Sequence, residues 1–291
     1  MVKTLSQLYL DAKRALQTQE DPQTAGMMAR NLLCKITGKT QEQLLADHDL
    51  YTSEDVCDRV GDAIRRLLDG EPLAYVLGEW DFYGLTLSVD PNVLIPRDDT
   101  CAVTDLAIPQ SLFLNQSPRI LDLCTGSGCI GLAIASRVQD ARVTLGDISR
   151  EALAVAKKNV NACKFSGRVS CINADALKPA PAFLGQFDLI VSNPPYITAA
   201  EMEELPDSVR LFEPHLALCG GEDGLIFYRS IAHHYKSALK PGGYLCFEFG
   251  MGQGDAVCRI LEDEGYTVLE RTKDFHNIER AVLACFGRKE D

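Results

Sequence analysis

The chain has 291 residues, 46% hydrophobic and 24% charged. That balance suits one large or two ordinary globular domains and excludes a fibre, a disordered chain and a disulfide-stapled miniprotein. Its 29 basic and 41 acidic residues give a net charge of −12, which opposes broad binding to phosphate backbones or anionic membranes.

From the amino terminus, amphipathic spacing with charges at Lys3, Asp11, Lys13 and Arg14 replaces the apolar core of a signal peptide. Leu5, Leu8, Tyr9, Ala12 and Leu16 recur at helical spacing, as do Ala25, Met28, Ala29, Leu32 and Leu33 before Gly38. Ser53 starts a further helix carrying Val56, Val60, Ile64 and Leu67. Residues 1–70 therefore predict a small helical bundle without a catalytic constellation. Residues 80–89 alternate apolar and polar around Gly84, and Pro91 and Pro96 punctuate the next stretch, so 71–97 read as a connecting hairpin and linker. From about residue 98, β-rich runs at 119–124, 142–147, 169–173, 187–192, 244–249, 266–270 and 281–286 alternate with helical runs at 130–137, 151–163 and 226–239. The pattern predicts an α/β domain, a mostly parallel sheet with helices on both faces and ligands beyond the carboxyl ends of the strands. The 11 cysteines form no Cys-x-x-Cys pair and are expected as reduced, packed thiols of a cytoplasmic protein, with no apolar run of membrane-spanning length.

Residues 120–130 run an apolar strand through Cys124, Thr125, Gly126, Ser127 and Gly128 into a helix. Gly126 and Gly128 permit a tight turn and close approach by a ligand. Gly131 is expected to fall one place late for the third glycine of a dinucleotide fingerprint. Asp147, ending the next strand, offers two acceptor oxygens to two ribose hydroxyls; capping ahead of Ser149 is the structural alternative. Asp175, after the third strand, could reach an adenine edge or stand as a loop carboxylate.

Residues 187–192 predict a buried strand that stops at Asn193. Pro194 and Pro195 remove two amide donors and stiffen the turn, leaving carbonyls free to accept. The Asn193 side-chain oxygen and a carbonyl of that turn can accept both hydrogens of a planar NH₂ group, and Tyr196 can stack on it. A proline turn with a capping asparagine is the structural alternative.

Residues 121–128, Asp147 and Asn193-Pro194-Pro195-Tyr196 together resemble a class I S-adenosylmethionine-dependent methyltransferase acting on a planar nitrogen. Outside that core, Gly78-Glu79-Trp80-Asp81-Phe82-Tyr83-Gly84, Val93-Leu94-Ile95-Pro96-Arg97, Phe212-Glu213-Pro214, Gly221-Glu222-Asp223-Gly224-Leu225 and Lys273-Asp274-Phe275 before Glu279-Arg280 extend the likeness. Over essentially the whole chain they are similar to the peptide chain release factor glutamine methyltransferase family. The resemblance implies a Rossmann-like seven-stranded methyltransferase domain over 98–291 and a helical domain over 1–70 that recognises the substrate. It implies S-adenosylmethionine as cofactor, S-adenosylhomocysteine as product, and class 1 peptide chain release factors as partners. The reaction implied is methylation of the side-chain amide nitrogen of the glutamine in their Gly-Gly-Gln motif.

Residue by residue, the resemblance assigns Thr125, Gly126, Ser127 and Gly128 to the cofactor loop, Asp147 to the ribose and Ala176 to the adenine pocket, where Asp175 joins it by position. Asn193, Pro194, Pro195 and Tyr196 match the stretch that holds the substrate amide and carries catalysis, Asn193 also lying near the cofactor's methionine end. Cys124, within the cofactor loop, stands where the family usually has glycine. Asp98 and Cys101 replace the commoner proline and glutamate, which brings a substrate contact by that segment into question.

The alternative is a DNA or RNA methyltransferase acting on an exocyclic base amine with the same chemistry; the net charge and the lack of a basic, aromatic-interleaved segment oppose it. A non-catalytic binding protein and a nicotinamide dehydrogenase fit the motifs less well, the latter lacking a hydride-transfer constellation. No metal site is expected, since adjacent His233 and His234 cannot face one ligand and His48, His215 and His276 lack partners at ligand spacing. Glu201, Glu203, Glu204 and Asp207 read as a solvated loop face, or as a contact for a basic partner. The expected form is a monomer without direct nucleic-acid or membrane contact.

Overall fold

The computed structural model describes residues 2–114 and 117–287, and the chain divides into two units: Met1–Gly78 with Asp207–Phe212, and Glu79–Pro206 with Glu213–Asp291. In the first unit lie α1 (Leu5–Leu16), α2 (Pro22–Thr37), α3 (Gln41–Ala46), α4 (Glu54–Leu68) and α5 (Leu73–Leu77). The first four open on side-chain caps: Thr4 accepts from Gln7 N, Asp21 from Gln23 and Thr24 N, Thr40 from Gln43 N, and Ser53 from Val56 N. Such a cap is worth about 1 kcal/mol, because it satisfies an amide the helix leaves unpaired. Leu5, Leu8, Ala12 and Leu16 pack with Ala25, Ala29, Leu32 and Leu33 and with Val60, Ala63 and Leu67 in one core. Burying each leucine contributes about 1.5–3 kcal/mol.

The second unit begins with β1 (Glu79–Phe82) and β2 (Leu85–Ser88), an antiparallel pair turning through Tyr83 and Gly84. Then follow α6 (Cys101–Phe113), β3 (Arg119–Leu123), α7 (Cys129–Arg137), β4 (Arg142–Asp147), α8 (Arg150–Ala162), β5 (Val169–Asn173) and β6 (Phe187–Ser192). After the helix Ile226–His234 come β7 (Leu239–Glu248), the helix Gly254–Asp263, β8 (Tyr266–Lys273) and β9 (Glu279–Phe286). Seven strands form one sheet in the order β5-β4-β3-β6-β7-β9-β8, parallel from β5 to β7 and antiparallel at β9 and β8. Alternation along β3 sends Ile120 into the core under α6, α7 and α8, and Leu121 and Leu123 into the core on the opposite face.

Several helices escape the sequence reading, among them α5, which lies inside the stretch read as hairpin and linker, α6 and Gly254–Asp263. One face of α6 buries Ala102, Val103, Leu106, Ala107 and Ile108, while its exposed positions are Asp105, Pro109, Leu112 and Phe113, three of them apolar, so the sequence shows no polar face to set a period. Glycines at 250, 252 and 254 crowd the start of the Gly254–Asp263 helix and resemble a loop. The helix from Ile226 ends at His234, and β7 takes the chain from Leu239, five residues before the expected strand start. Among the described residues no helix is long and apolar enough to cross a membrane.

The strand order reverses between β3 and β6. Connections leave these neighbours in opposite directions, so a crevice opens at their carboxyl ends.

Candidate functional site

Beyond β3 the backbone turns through left-handed conformations at Cys124 (φ 60°), Gly126 (φ 54°) and Gly128 (φ 86°). A Cβ on Gly128 would stand 3.1 Å from Leu145 and 3.2 Å from Leu132, so both backbone and packing call for glycine there. No side chain caps α7. Behind the turn, Asp122 is fully buried and its Oδ2 accepts from Thr125 Oγ1 at 2.6 Å and Gly131 N at 2.9 Å. Burial pushes its carboxyl up to about 7 against the pull of those two bonds.

Contrary to expectation, Gly131 is not one place late. Gly126, Gly128 and Gly131 are spaced Gly-x-Gly-x-x-Gly, and a Cβ at Gly131 would collide with Leu145 and stand 3.0 Å from Asp122 Oδ2. The third glycine serves the close approach of α7 to the sheet, so the glycines alone do not set a dinucleotide aside.

Asp147 closes β4. Its Oδ2 accepts from Gly126 N at 2.9 Å and its Oδ1 from Ser149 N at 3.0 Å. Ser149 itself caps α8, accepting from Ala152 N at 3.0 Å, so the helix does not need Asp147 as its cap. Burial raises the Asp147 carboxyl above its ordinary range, while bonds from Gly126, Ser149 and Ile148 oppose the shift. Each oxygen keeps a lone pair for a further donor.

At the neighbouring strand end, Ser192 Oγ donates to Leu123 O at 2.6 Å, tying β6 to β3 just before Asn193. Asn193 Nδ2 donates to Thr100 Oγ1 at 3.3 Å. Pro194 and Pro195 are buried. Gln253 Nε2 donates to the Tyr196 carbonyl at 3.0 Å, so that carbonyl of the turn is engaged.

These elements enclose a solvent-open cleft. Cys124, Thr125, Gly126, Ser127, Asp147, Asp175, Ala176, Asn193 and Pro195 line it together. Gly128 shapes the loop from behind. Pro194 and Tyr196 are not among the lining residues, and Tyr196 packs beside the core cluster that holds Phe247 and Phe249.

The sequence reading misses part of the wall. Val93, Leu94, Pro96 and Thr100 line the cleft, as do Ile148, Leu216 and Phe227. The segment read as a linker is held there by Glu213, a buried carboxylate that accepts from Ile95 N at 3.2 Å and pairs with Arg97. Two prolines in six residues, Pro91 and Pro96, are the sequence signal that this stretch has a fixed course. Asp98 and Cys101 stay off the wall, while Thr100 between them is on it.

A nucleoside with a charged tail fits this donor set. Asp147 presents acceptors, the amide end of α7 carries no side-chain cap, and Ser127 Oγ lies buried on the wall with no partner among the described residues. Among the described residues one group of metal-ligand type gathers, Asp99, Asp274 and His276. Its two carboxylates hold the Arg280 guanidinium at 2.8 and 2.9 Å.

Comparison with known proteins agrees with both halves of the chain. Residues 105–208 match the family described as Methyltransferase small domain, and residues 7–78 match that described as PrmC N-terminal domain. A Release factor glutamine methyltransferase of Clostridium acetobutylicum is 38% identical over 256 residues, covering 88% of this chain and 90% of that protein. One from Chlorobaculum tepidum is 39% identical over 268 residues, covering 90% of each. A methyltransferase crystal structure from Pyrococcus furiosus shares the fold, with a TM-score of 0.51 at 17% identity over 78% of this chain and all of that one.

Proposed function

Because this chain belongs to the release factor glutamine methyltransferase family, we propose that it methylates the side-chain amide nitrogen of the glutamine in the Gly-Gly-Gln motif of class 1 peptide chain release factors, using S-adenosylmethionine. The observation that carries the reading is one cleft in which Asp147, at the end of β4, shares a wall with Asn193 and Pro195, after β6.

When bound, S-adenosylmethionine supplies an electrophilic methyl group on a positively charged sulfur. Asp147 accepts hydrogen bonds from the ribose, and the turn through Thr125, Gly126, Ser127 and Gly128 offers backbone amides to the polar tail. Ala176 and Asp175 bound the base. Asn193 Oδ1 and a carbonyl of the proline turn accept the two hydrogens of the substrate amide. An amide nitrogen is a poor nucleophile because its lone pair is delocalised. Two fixed acceptors hold it in line and favour a transition state in which positive charge builds on that nitrogen. Tyr196, packed behind the turn, keeps the acceptors in place. The helical unit recognises the body of the release factor, and its exposed Leu45, Leu50 and Tyr51 suit that contact.

The test is methyl transfer from labelled S-adenosylmethionine to a purified class 1 release factor, beside a Gln→Ala variant of its Gly-Gly-Gln motif, a DNA and an RNA. Label on the intact factor alone is the expected result. Label on either nucleic acid would replace the protein substrate with an exocyclic base amine. No label anywhere, with cofactor bound, would leave a binding role.

A further inference from the structure

The reaction proposed above requires Asn193 to turn its carbonyl oxygen, not its amide nitrogen, toward the substrate. A side-chain amide can adopt either orientation, and the two ends differ only in what they bond. What decides between them is the chemistry behind Asn193. Thr100 Oγ1 accepts from Asn193 Nδ2 at 3.3 Å. Beside them stands Glu248, the last residue of β7, whose carboxyl is buried with its residue 1% exposed. The parallel register that pairs Ser192 of β6 with Phe247 of β7 sets Glu248 beside Asn193, the side chains of Thr100 and Asn193 favour its charged form, and its Oε2 has no partner among the described residues.

The Glu248 backbone is held independently of its side chain. Its carbonyl accepts from Tyr228 Oη at 3.0 Å, and the residue pairs with Ala281 of β9. A glutamate here is therefore not required to form the strand. It is also costly, since a buried acid without an ion-pair partner of its own opposes folding. Glutamine would fill the same volume at lower cost.

We propose that Glu248 is a positioning residue for methyl transfer: together with Thr100 it holds the Asn193 amide nitrogen, so that Asn193 Oδ1 faces the cleft and accepts from the substrate's NH₂ group. Burial pushes the Glu248 carboxyl up to about 8; Asp99 adds to the shift, and Thr100, Arg280 and Asn193 oppose it. A proton on the otherwise unpartnered Oε2 leaves the other oxygen an acceptor, so the orientation holds with the acid neutral or charged. Thr100 and Asn193 line the cleft and Glu248 does not, so Glu248 acts through them.

The inference rests on Asn193 receiving the substrate amide, and the test separates the two ideas. Glu248→Gln keeps the shape but can present NH₂ to Asn193 and turn it around. Its kcat on the release factor is expected to fall about tenfold, as for a small misplacement of a reacting group, with substrate KM and cofactor Kd within about twofold. Its melting temperature is expected to stay level or rise. Asn193→Asp is expected to be impaired beside Glu248, and adding Glu248→Gln should restore part of its activity, because the introduced side-chain amide can donate to the new carboxylate. A Glu248→Gln protein with the parent's kcat overturns the proposal. So does a fall in melting temperature that accounts for lost activity, or a double variant no better than Asn193→Asp. A parent protein that methylates no release factor overturns the underlying reading and this one with it.

Discussion

The helical unit and the cleft treat the same local rules in opposite ways. In the helical unit, α1 to α4 each open on a side-chain cap, and the core they enclose is apolar throughout. At the carboxyl ends of β3 and β6, α7 opens without a cap and Cys124 stands in left-handed backbone. In the same unit the buried atoms Asp122 Oδ1, Ser127 Oγ and Glu248 Oε2 lack partners among the described residues. Each such atom costs about 1–3 kcal/mol when nothing meets it. The helical unit follows local rules and gains stability. The cleft breaks them close to the strand ends, as expected where groups are kept for a ligand or for another catalytic side chain.

Substitutions on the two sides should therefore separate cleanly, and the largest effect should come from the cleft. Asn193→Ala is expected to lower methyl transfer by about 10²–10³-fold, as for loss of a preorganised hydrogen-bonding group, with cofactor affinity by calorimetry little changed. Leu33→Ala should destabilise the helical core by about 2–5 kcal/mol in denaturant unfolding. It should leave cofactor affinity alone, and a matching loss of affinity would break the contrast. Asp147→Ala should act on cofactor binding, losing about 1.5–3 kcal/mol for each hydrogen bond to the charged group; a parent-like Kd would contradict its role.

The Asp147 contribution also has a pH signature. Burial raises its carboxyl, and protonation removes an acceptor from the bound state. Cofactor affinity is thus full where the acid is ionised, and it falls on acidification before the ordinary carboxylate range is reached. Titrating Kd against pH in the parent and in Asp147→Ala isolates that limb, which should be absent from the variant.

The smallest pair sharpens the comparison by sign. Ser53→Ala removes a cap and should cost about 1 kcal/mol. Cys124→Gly removes a side chain from left-handed backbone and should gain up to about 1 kcal/mol. Thermal unfolding of both variants would show whether rule-keeping and rule-breaking positions respond in opposite directions.

Much of this architecture is legible in the sequence because its causes are local. The start of α4 follows from Ser53 and the end of α2 from Gly38, and apolar spacing places the helical core. Parallel strands buried on both faces read as the apolar runs before Cys124 and Asn193. The α6 helix is not legible, because its exposed face carries Pro109, Leu112 and Phe113 beside Asp105, so apolar residues stand on both faces and mask the amphipathic period. The course of residues 92–97 is hidden for another reason: its anchor, Glu213, lies more than a hundred residues away in sequence.

The strand–turn–helix order, the asparagine at the end of β6 and the acid at the end of β4 each depend on neighbours within a few residues, so the chain declares them locally. That Thr100, Glu213 and Glu248 serve the same cleft emerges with folding. Their roles come from buried carboxyls meeting groups brought close by strand order, and no local spacing encodes a hydrogen bond from Asn193 to a threonine 93 residues earlier.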